Sequence, residues 1–189
     1  MEAPTRRQFE AAAGRPAHFV EAPEAYHLRR IEWQLLGTFT FKSDRLPERV
    51  RKSMYFAWLR GLGRRVQVKF PDLLWCLRQE AGEIGGRLHF HHLVAGLPES
   101  VLCSSFTFEL MSAWQKLGGG WARVVIYQHY RDGVGYVVKR LGYPSAAEES
   151  FSGMFGSRLD DLTLSNSVRR VLHRANLGSH RTQRTQTIR

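Results

Sequence analysis

Residues 88–94 read LHFHHLV and hold three of the chain's 8 histidines, in a stretch that otherwise has the composition of an apolar strand. In an extended strand, alternate side chains point to the same face. Phe90 and His92 therefore point to one side, which we predict to be the core. His89 and His91 share the opposite side, where two imidazoles two residues apart can both reach one metal ion.

A hairpin is predicted to include this strand. Residues 72–80 (DLLWCLRQE) have the pattern of a strand, residues 81–86 (AGEIGG) that of a turn, and the histidine strand spans residues 87–96. Trp75 must face the core together with Phe90. Odd-numbered residues of the first strand should therefore pair with even-numbered residues of the second.

This register predicts a carboxylate beside the histidines. Glu80 is even-numbered, so it should lie on the face of His89 and His91, close to the turn. A carboxylate next to two imidazoles makes a three-ligand metal site with positions open for water or a phosphate oxygen. Glu83 in the turn is the alternative third ligand, and His92 is predicted to be a packing residue. An HxH pair can also be two structural histidines, and that alternative stays open.

The segment before the hairpin predicts a strand and a helix. Residues 32–41 are rich in β-formers and alternate in character. Ser43 or Asp44 can cap the helix, with Pro47 in its first turn. Helical spacing predicts that the apolar face consists of Val50, Met54, Ala57, Trp58 and Gly61. The opposite face is basic and carries Arg49, Arg51, Lys52 and Arg60.

The segment after the hairpin predicts a helix, a strand and a short helix. Ser104 or Ser105 begins the first helix, and residues 118–120 (GGG) end it. Its predicted apolar stripe is Phe106, Leu110, Trp114 and Leu117. A strand at residues 121–129 and a helix at residues 136–141 follow. The order β, α, β-hairpin, α, β, α predicts an α+β fold with helices packed on an antiparallel sheet.

Length and composition fit one folded domain with a basic surface. The 189 residues are 43% hydrophobic, and the formal net charge is +11 at a sequence pI near 10.3. Such a charge favours a polyanionic partner such as nucleic acid. We predict a leader at residues 1–30, a domain at 31–145, and a basic extension at 146–189 whose end is disordered.

The sequence also bears on cellular location. Cys76 and Cys103 form no CxxC pair, and two thiols in a chain of this size favour a reducing compartment, so we expect the cytoplasm. The N-terminus has no continuous apolar segment of the signal-peptide kind. No uncharged apolar run approaches the roughly 18 residues of a membrane helix, so we expect no membrane association.

Tyr136 and Lys139 lie three residues apart in the last predicted helix and so share a face. A tyrosine hydroxyl can attack a phosphodiester and keep the product as a phosphotyrosine, and a nearby cation lowers the cost of the developing charge. A metal ion can polarise the scissile phosphate. The YxxK spacing alone is common by chance, so a structural role stays open.

Taken in order, three motifs resemble those of the HUH endonucleases, specifically the rolling-circle replication initiators. The motifs are GTFTF at residues 37–41, HFH at 89–91 and YVVK at 136–139. The resemblance covers residues 31–143. It implies a ferredoxin- or RRM-like sheet of about five strands flanked by helices.

The resemblance also implies roles for individual residues. His89, His91 and Glu80 would bind Mn²⁺ or Mg²⁺, Tyr136 would be the nucleophile, and Lys139 would assist at the phosphate or the metal. The enzyme would nick single-stranded DNA or an origin stem-loop, leaving a 5′-phosphotyrosine and a free 3′-OH. This reaction would begin rolling-circle replication of a plasmid, phage or small circular virus.

Two features depart from some members of the family. Phage-type members can carry a second tyrosine directly after the lysine, where this chain has Arg140. This indicates a single-tyrosine enzyme, with Tyr130 and Tyr143 as alternative second nucleophiles. The chain has no GxxxxGK[ST] loop, so a host or partner helicase would unwind the DNA.

Basic and aromatic residues predict the contacts to DNA. The cations expected to bind phosphates are Arg64, Arg65, Lys69, Arg131 and Arg140, with Arg169, Arg170 and Arg174 near the C-terminus. The candidates for base stacking are Trp121, Tyr127 and Tyr130. Two alternatives stay open. One is a single-tyrosine transposase or relaxase, although relaxases commonly place the tyrosine ahead of the histidines. The other is a non-catalytic RRM-like nucleic-acid-binding module, although no RNP consensus string is present.

Overall fold

The strands form one antiparallel sheet. The structure, a computed structural model, describes residues 23–81, 86–138 and 162–174. In chain order the elements are α1 (Pro23–Leu28), β1 (Leu35–Phe41), α2 (Glu48–Arg65), β2 (Leu74–Ala81), β3 (Leu88–Ala95), α3 (Ser104–Lys116), β4 (Gly119–Ile126), α4 (Gly133–Val138), β5 (Leu162–Leu164) and α5 (residues 166–174). The strand order is β4-β1-β3-β2-β5, and all neighbours are antiparallel. The predicted α+β fold with an antiparallel sheet of about five strands is confirmed.

The histidine hairpin has the predicted register. β2 and β3 pair so that Glu80 lies opposite His89. The other edge of β3 pairs with β1, which places Thr38 opposite His91. Because side chains alternate along each strand, these four residues share one face of the sheet, which we call the second face. Phe90 points to the other face, which we call the core face.

The core face packs against α2 and α3. Phe39 of β1 stacks on Trp114 of α3 with 4.4 Å between the ring centroids, and Trp58 of α2 lies edge-on to Phe39 at 4.8 Å. These rings and Phe90 are almost completely buried. Burying each such side chain stabilises the fold by about 1.5 to 3 kcal/mol. The two long helices are therefore held on the side of the sheet that faces away from His89.

Helices cover only part of the second face. Leu93 of β3 packs in a second buried cluster with Leu28 of α1, Val137 of α4 and Val168 of α5. Nearer the hairpin turn, the same face carries exposed side chains of β4, among them Arg123. The boundary between the covered and the open part runs past His91.

The first and last described segments of the chain contribute to this second cluster. Residues 162–174, predicted to belong to a basic extension, supply β5 beside β2 and the buried Val168 of α5. β5 has only three residues, too few for an alternating pattern. Leu28, at the end of the predicted leader, is fully buried. The predicted boundary at residue 145 and the predicted disordered end lie outside the described residues. No helix in the described ranges combines the length and the apolar character needed to cross a membrane.

The predicted cap of α2 is wrong, and of its predicted buried face only Trp58 is fully buried, with Met54 packed in part against the core. The helix begins after Pro47 without a side-chain cap, and Ser43 accepts a hydrogen bond from the Arg45 amide instead. The residues that α2 buries are Arg51, Tyr55, Trp58, Leu59, Leu62 and Gly63. This set has the same helical spacing as the predicted one but is rotated, because Tyr55 and two leucines fill the core better than Val50, which is 41% exposed. Arg51 leaves the predicted basic face and donates to Gln79 Oε1.

Three smaller predictions are also wrong. Leu117 is 43% exposed rather than part of the stripe of α3, and α4 begins at Gly133 rather than at residue 136. Only Gly118, with φ of +90°, ends α3, and Gly119 already belongs to β4. A Cβ at Gly119 would lie 2.2 Å from Trp114 Nε1, so this strand position requires glycine.

Candidate metal centre and its surroundings

Three side chains converge on the second face near the hairpin turn. His91 Nε2 lies 3.1 Å from Glu80 Oε2, His89 Nε2 lies 3.8 Å from the same oxygen, and the two Nε2 atoms are 2.9 Å apart. The side chain of His91 is 1% exposed, whereas those of His89 and Glu80 are 17% and 13% exposed. The cluster is therefore closed on the side of His91 and partly open beyond the other two.

Hydrogen bonds orient the two imidazoles towards the cluster. His89 Nδ1 lies 3.1 Å from the carbonyl oxygen of Arg87, which can only accept, so Nδ1 carries the proton. In the neutral ring, Nε2 then presents its lone pair to Glu80 and His91. His91 Nδ1 is held by Thr38 Oγ1 at 3.0 Å, which leaves its Nε2 to face the same point. Two imidazole nitrogens and one carboxylate oxygen thus point inward.

The donor set fits a divalent metal ion. Ligand atoms bound at about 2.1 Å with angles between about 90° and 110° lie about 3.0 to 3.4 Å from one another. The three separations in the cluster, 2.9, 3.1 and 3.8 Å, bracket that range. Two imidazoles and a carboxylate suit Mn²⁺, Zn²⁺ and similar ions, and three protein ligands leave coordination positions for a substrate. Glu80, His89 and His91 are the residues that would hold such an ion.

Thr38 orients His91, a role that the sequence prediction missed. It occupies the centre of β1 and lies opposite His91 on one side and Arg123 of β4 on the other. A hydrogen-bond partner on the ring nitrogen that does not bind the metal fixes the tautomer and the ring orientation of a metal-binding histidine. The alternation that placed Glu80 beside the histidines would also place Thr38 there, once β1 is known to neighbour β3.

Arg78 joins the cluster to α4 and was likewise not predicted. It lies opposite His91 in β2 and is 8% exposed. Its Nη1 donates to the carbonyl of Val137 at 2.9 Å. A charge-assisted bond to a helix carbonyl is strong when buried. Arg78 precedes Glu80 by two residues, so strand alternation places both side chains on the same face of the sheet. The sequence could therefore have indicated that Arg78 lies near the cluster.

Tyr136 of α4 lies against the cluster. Its ring is 4.8 Å from the ring of His91 between centroids and nearly perpendicular to it, and the residue is 44% exposed. Partial burial raises the pKa of the Tyr136 hydroxyl, the Glu80 carboxylate adds to the rise, and Arg123 opposes it. The structure therefore brings together four of the predicted site residues: Glu80, His89, His91 and Tyr136.

A salt bridge positions the helix that carries Tyr136. Asp132, just before α4, accepts the Gly135 amide at 3.1 Å and the backbone amide of Tyr136 donates to the Asp132 carbonyl at 3.0 Å. Arg29 binds both carboxylate oxygens of Asp132, at 2.9 and 2.7 Å. Arg29 lowers the pKa of Asp132, so the carboxylate stays charged. The start of α4 is thereby tied to the chain segment before β1.

His92 lies in the core, on the side that alternation predicts. It is fully buried between Phe39 and Trp58, with ring centroids 4.4 and 5.0 Å away. Neither of its ring nitrogens has a hydrogen-bond partner among the described residues. Burial lowers the pKa of His92 to about 3, so the ring is neutral. A Cβ on Gly37 would lie 2.2 Å from this ring, and glycine is required there.

The structure does not bring three of the predicted DNA-binding cations to this centre. Arg64, Arg65 and Lys69 lie at or just beyond the C-terminal end of α2, which packs on the core face. Arg65 forms an ion pair with Glu109 of α3. The sequence indicates the charge of these residues but not the side of the sheet on which α2 packs. Arg131 lies just before α4, with its guanidinium over the Tyr130 ring at 5.6 Å.

The predicted stacking residues differ in exposure. Trp121 is 57% and Tyr130 79% exposed, while Tyr127 is 9% exposed and its hydroxyl accepts the Val134 amide. Tyr127 is therefore a core residue rather than a stacking surface. Lys139, Arg140, Tyr143 and the alternative ligand Glu83 lie outside the described residues.

Comparison of the chain with protein-family models, with curated proteins and with solved structures finds no match. A function for this protein must therefore be argued from the geometry of the centre itself.

Proposed function

We propose that the protein is a metal-dependent endonuclease that nicks single-stranded DNA and begins rolling-circle replication at an origin. The observation that carries the proposal is the contact between Tyr136 and His91, with Glu80 and His89 completing a metal-type donor set on the same face. A nucleophile beside a site that fits a divalent ion is an arrangement that can cleave a phosphodiester through a covalent intermediate.

In the proposed reaction, the Tyr136 hydroxyl loses its proton and its oxygen forms a bond to the scissile phosphorus. The bond from phosphorus to the 3′ oxygen breaks, and that oxygen takes up a proton to give a free 3′-OH. The downstream strand remains attached to Tyr136 as a 5′-phosphotyrosine. A second strand with a free 3′-OH can reverse the step and join the DNA.

The surroundings of Tyr136 support this role. Its raised pKa means that the phenolate needs positive charge nearby, and Arg123 already acts in that direction. A divalent ion held by Glu80, His89 and His91 would polarise the scissile phosphate and supply further positive charge. Lys139 is proposed to assist at the phosphate, as the resemblance to the HUH endonucleases implies.

The proposed substrate is single-stranded DNA or an origin stem-loop, and the proposed location is the cytoplasm of a bacterium or the host cell of a phage or virus. A host or partner helicase would open the duplex. The order in which the histidines precede Tyr136 favours an initiator over a relaxase. A single-tyrosine transposase would use the same chemistry.

A non-catalytic nucleic-acid-binding module is the second candidate function. The observation that favours it is the strand order β4-β1-β3-β2, because a four-stranded sheet with an open face and exposed aromatics also binds nucleic acid without cutting. The two candidates differ in one product, which is a covalent protein–DNA adduct.

The deciding experiment looks for that adduct. The protein is incubated with Mn²⁺ and 3′-labelled single strands that contain inverted repeats from the DNA around its coding sequence, and the products are separated under denaturing conditions. Wild type and Tyr26→Phe, which alters an exposed tyrosine of α1, are expected to form the adduct, and Tyr136→Phe and His91→Ala are not. An adduct in Tyr136→Phe would refute the nucleophile, and binding without any adduct would favour the module.

A further inference from the structure

A row of cations lies on the outer face of α2, on the opposite side of the sheet from the metal centre. The row, called the α2 strip below, consists of Arg49, Lys52, Arg60, Arg64 and, just past the helix, Lys69. Spacings of three or four residues place side chains on one face of a helix. The buried face of α2, with Tyr55 and Leu59, is turned to the core, so the strip faces solvent.

Most of the charge on the strip is uncompensated. Lys52 pairs with Glu48 at 2.5 Å, whereas Arg49, Arg60, Arg64 and Lys69 form no ion pair within the described part of the chain. Neighbouring cations behave differently, since Arg65 pairs with Glu109 and Arg51 is buried against Gln79. The strip is therefore a row of cations along one helix, four of which are exposed and have no carboxylate partner among the described residues.

Two shallow grooves run end to end along the strip. Glu48, Arg49, Lys52, Ser53, Phe56 and Arg60 line one of them. Arg60, Gly63, Arg64, Gln67, Val68, Lys69 and Phe70 line the other. Arg60 borders both grooves, so the two lie next to each other along α2. At about 1.5 Å per residue, the 18 residues of α2 span about 27 Å, or about eight phosphates of one strand of duplex DNA.

The strip lacks what a single strand requires. Single-strand binding combines cations with exposed aromatic rings on which bases stack. The two aromatic side chains that line the grooves, Phe56 and Phe70, are half-buried and pack against the core, and Phe56 lies edge-on to Trp75 at 5.4 Å. The exposed Trp121 belongs to β4 rather than to the strip. Cations without a stacking surface suit a duplex, in which the bases are already stacked and the phosphates face outward.

We propose that the α2 strip binds the phosphate backbone of double-stranded DNA, independently of sequence. The protein would then hold duplex DNA on one side and present the metal centre on the other. This inference goes beyond the proposed function and does not depend on it, because duplex binding requires neither a metal ion nor Tyr136.

The test measures binding of a labelled duplex of about 20 base pairs, and of a matching single strand, across a salt series in the presence of a chelator. The strip variant is Arg60→Gln/Arg64→Gln/Lys69→Gln. The matched control, Arg30→Gln/Lys42→Gln/Lys116→Gln, also removes three exposed cations, but from segments outside the strip and with no predicted role in DNA binding. Thermal melting of each variant establishes that it is folded.

Wild type and the control are expected to bind the duplex with the same affinity and salt dependence. The strip variant should bind it about tenfold or more weakly, with a log–log salt slope flatter by about 2.7, or 0.9 for each of three lost phosphate contacts. Its affinity for the single strand should stay within about twofold of wild type. Equal losses in the two triple variants, or equal losses of duplex and single-strand binding in the strip variant, would overturn the inference. A wild-type protein that does not bind the duplex would also overturn the inference. None of these outcomes depends on whether Tyr136 forms an adduct.

Discussion

Thr38 and His91 face each other across β1 and β3, and the hydroxyl of Thr38 lies 3.0 Å from His91 Nδ1. The bond leaves His91 Nε2 directed at Glu80, so the strand pairing of the sheet determines the orientation of a proposed ligand. Thr38→Val keeps the shape of the side chain and removes the bond. We expect its affinity for Mn²⁺ to fall by about 10-fold or more in calorimetric titration.

The matched control for Thr38 is Thr40→Val. Thr40 lies opposite His89, but its hydroxyl donates to the Trp121 carbonyl and not to a proposed ligand, so the affinity for Mn²⁺ should stay at the wild-type value. Equal affinity in the two valine variants would show that Thr38 does not orient a ligand.

The identity of the third ligand can be tested with two glutamines. Glu80→Gln keeps the size of the side chain but removes the charge from the oxygen that lies 3.1 Å from His91 Nε2. We expect it to lower the affinity for Mn²⁺ at least about 10-fold, because hard divalent ions prefer a carboxylate to an amide oxygen. Glu83→Gln should bind like wild type. A loss of Mn²⁺ affinity in Glu83→Gln but not in Glu80→Gln would identify Glu83 as the third ligand instead.

Two substitutions of His92 should separate the contribution of its packing to stability from the cost of burying its ring nitrogens. Both ring nitrogens are buried without a described partner, so His92→Leu removes a desolvated polar group and should raise the free energy of unfolding by about 1 kcal/mol. His92→Ala leaves a cavity and should lower it by about 2 to 4 kcal/mol. Urea denaturation measures both. A leucine variant as unstable as the alanine variant would mean that the imidazole makes a polar contact in solution.

Gly37 and His92 should be coupled. A Cβ on residue 37 would meet the His92 ring at 2.2 Å, so Gly37→Ala should lower the free energy of unfolding by about 1 to 3 kcal/mol through overpacking. In a His92→Ala background the same change enters vacated space and should cost much less. A double-mutant cycle in urea gives the coupling, and strictly additive losses would contradict the predicted clash.

The Arg29 and Asp132 pair should give a small pH dependence. Arg29 lowers the folded-state pKa of Asp132 below the unfolded value near 3.8, so its stabilisation is complete above about pH 4 and is lost as the pH falls. Asp132→Asn should therefore be less stable than wild type near neutral pH, by less than about 1 kcal/mol because the pair is partly exposed, and the difference should shrink below pH 4. Asp72→Asn is the control. If the stability difference between wild type and Asp132→Asn grew as the pH fell below 4, the charged Asp132 would not be the stabilising form.

Alternation made the centre predictable. The period of two in β2 and β3 places Glu80, His89 and His91 on one face before any contact is known, since a slip by one residue would bury Glu80 and expose Trp75. Helical periodicity was weaker evidence. Two sets of residues in α2 have equivalent spacing, and the difference depends on how well Tyr55 fits against the sheet, which is a property of the packed core.

Long-range packing was not predictable from local patterns. β5 pairs with β2 through three residues, and the partner of Arg78 is a backbone carbonyl in α4. The residues of the α2 strip could be identified as basic, but their distance from the centre depends on which face of the sheet α2 covers. The order of elements along the chain does not determine that face, because the connection after β1 can lead to either side of the sheet.

The contact between Arg29 and Asp132 connects the segment before β1 to the start of the helix that carries Tyr136. A fragment trimmed to begin at Leu35 would retain every side chain of the metal centre and still lose the tether on the helix that presents Tyr136. A purification tag or fusion partner that displaced Arg29 would remove this contact from the start of the helix that carries Tyr136. Any engineered version of this protein should therefore leave that short helix in place.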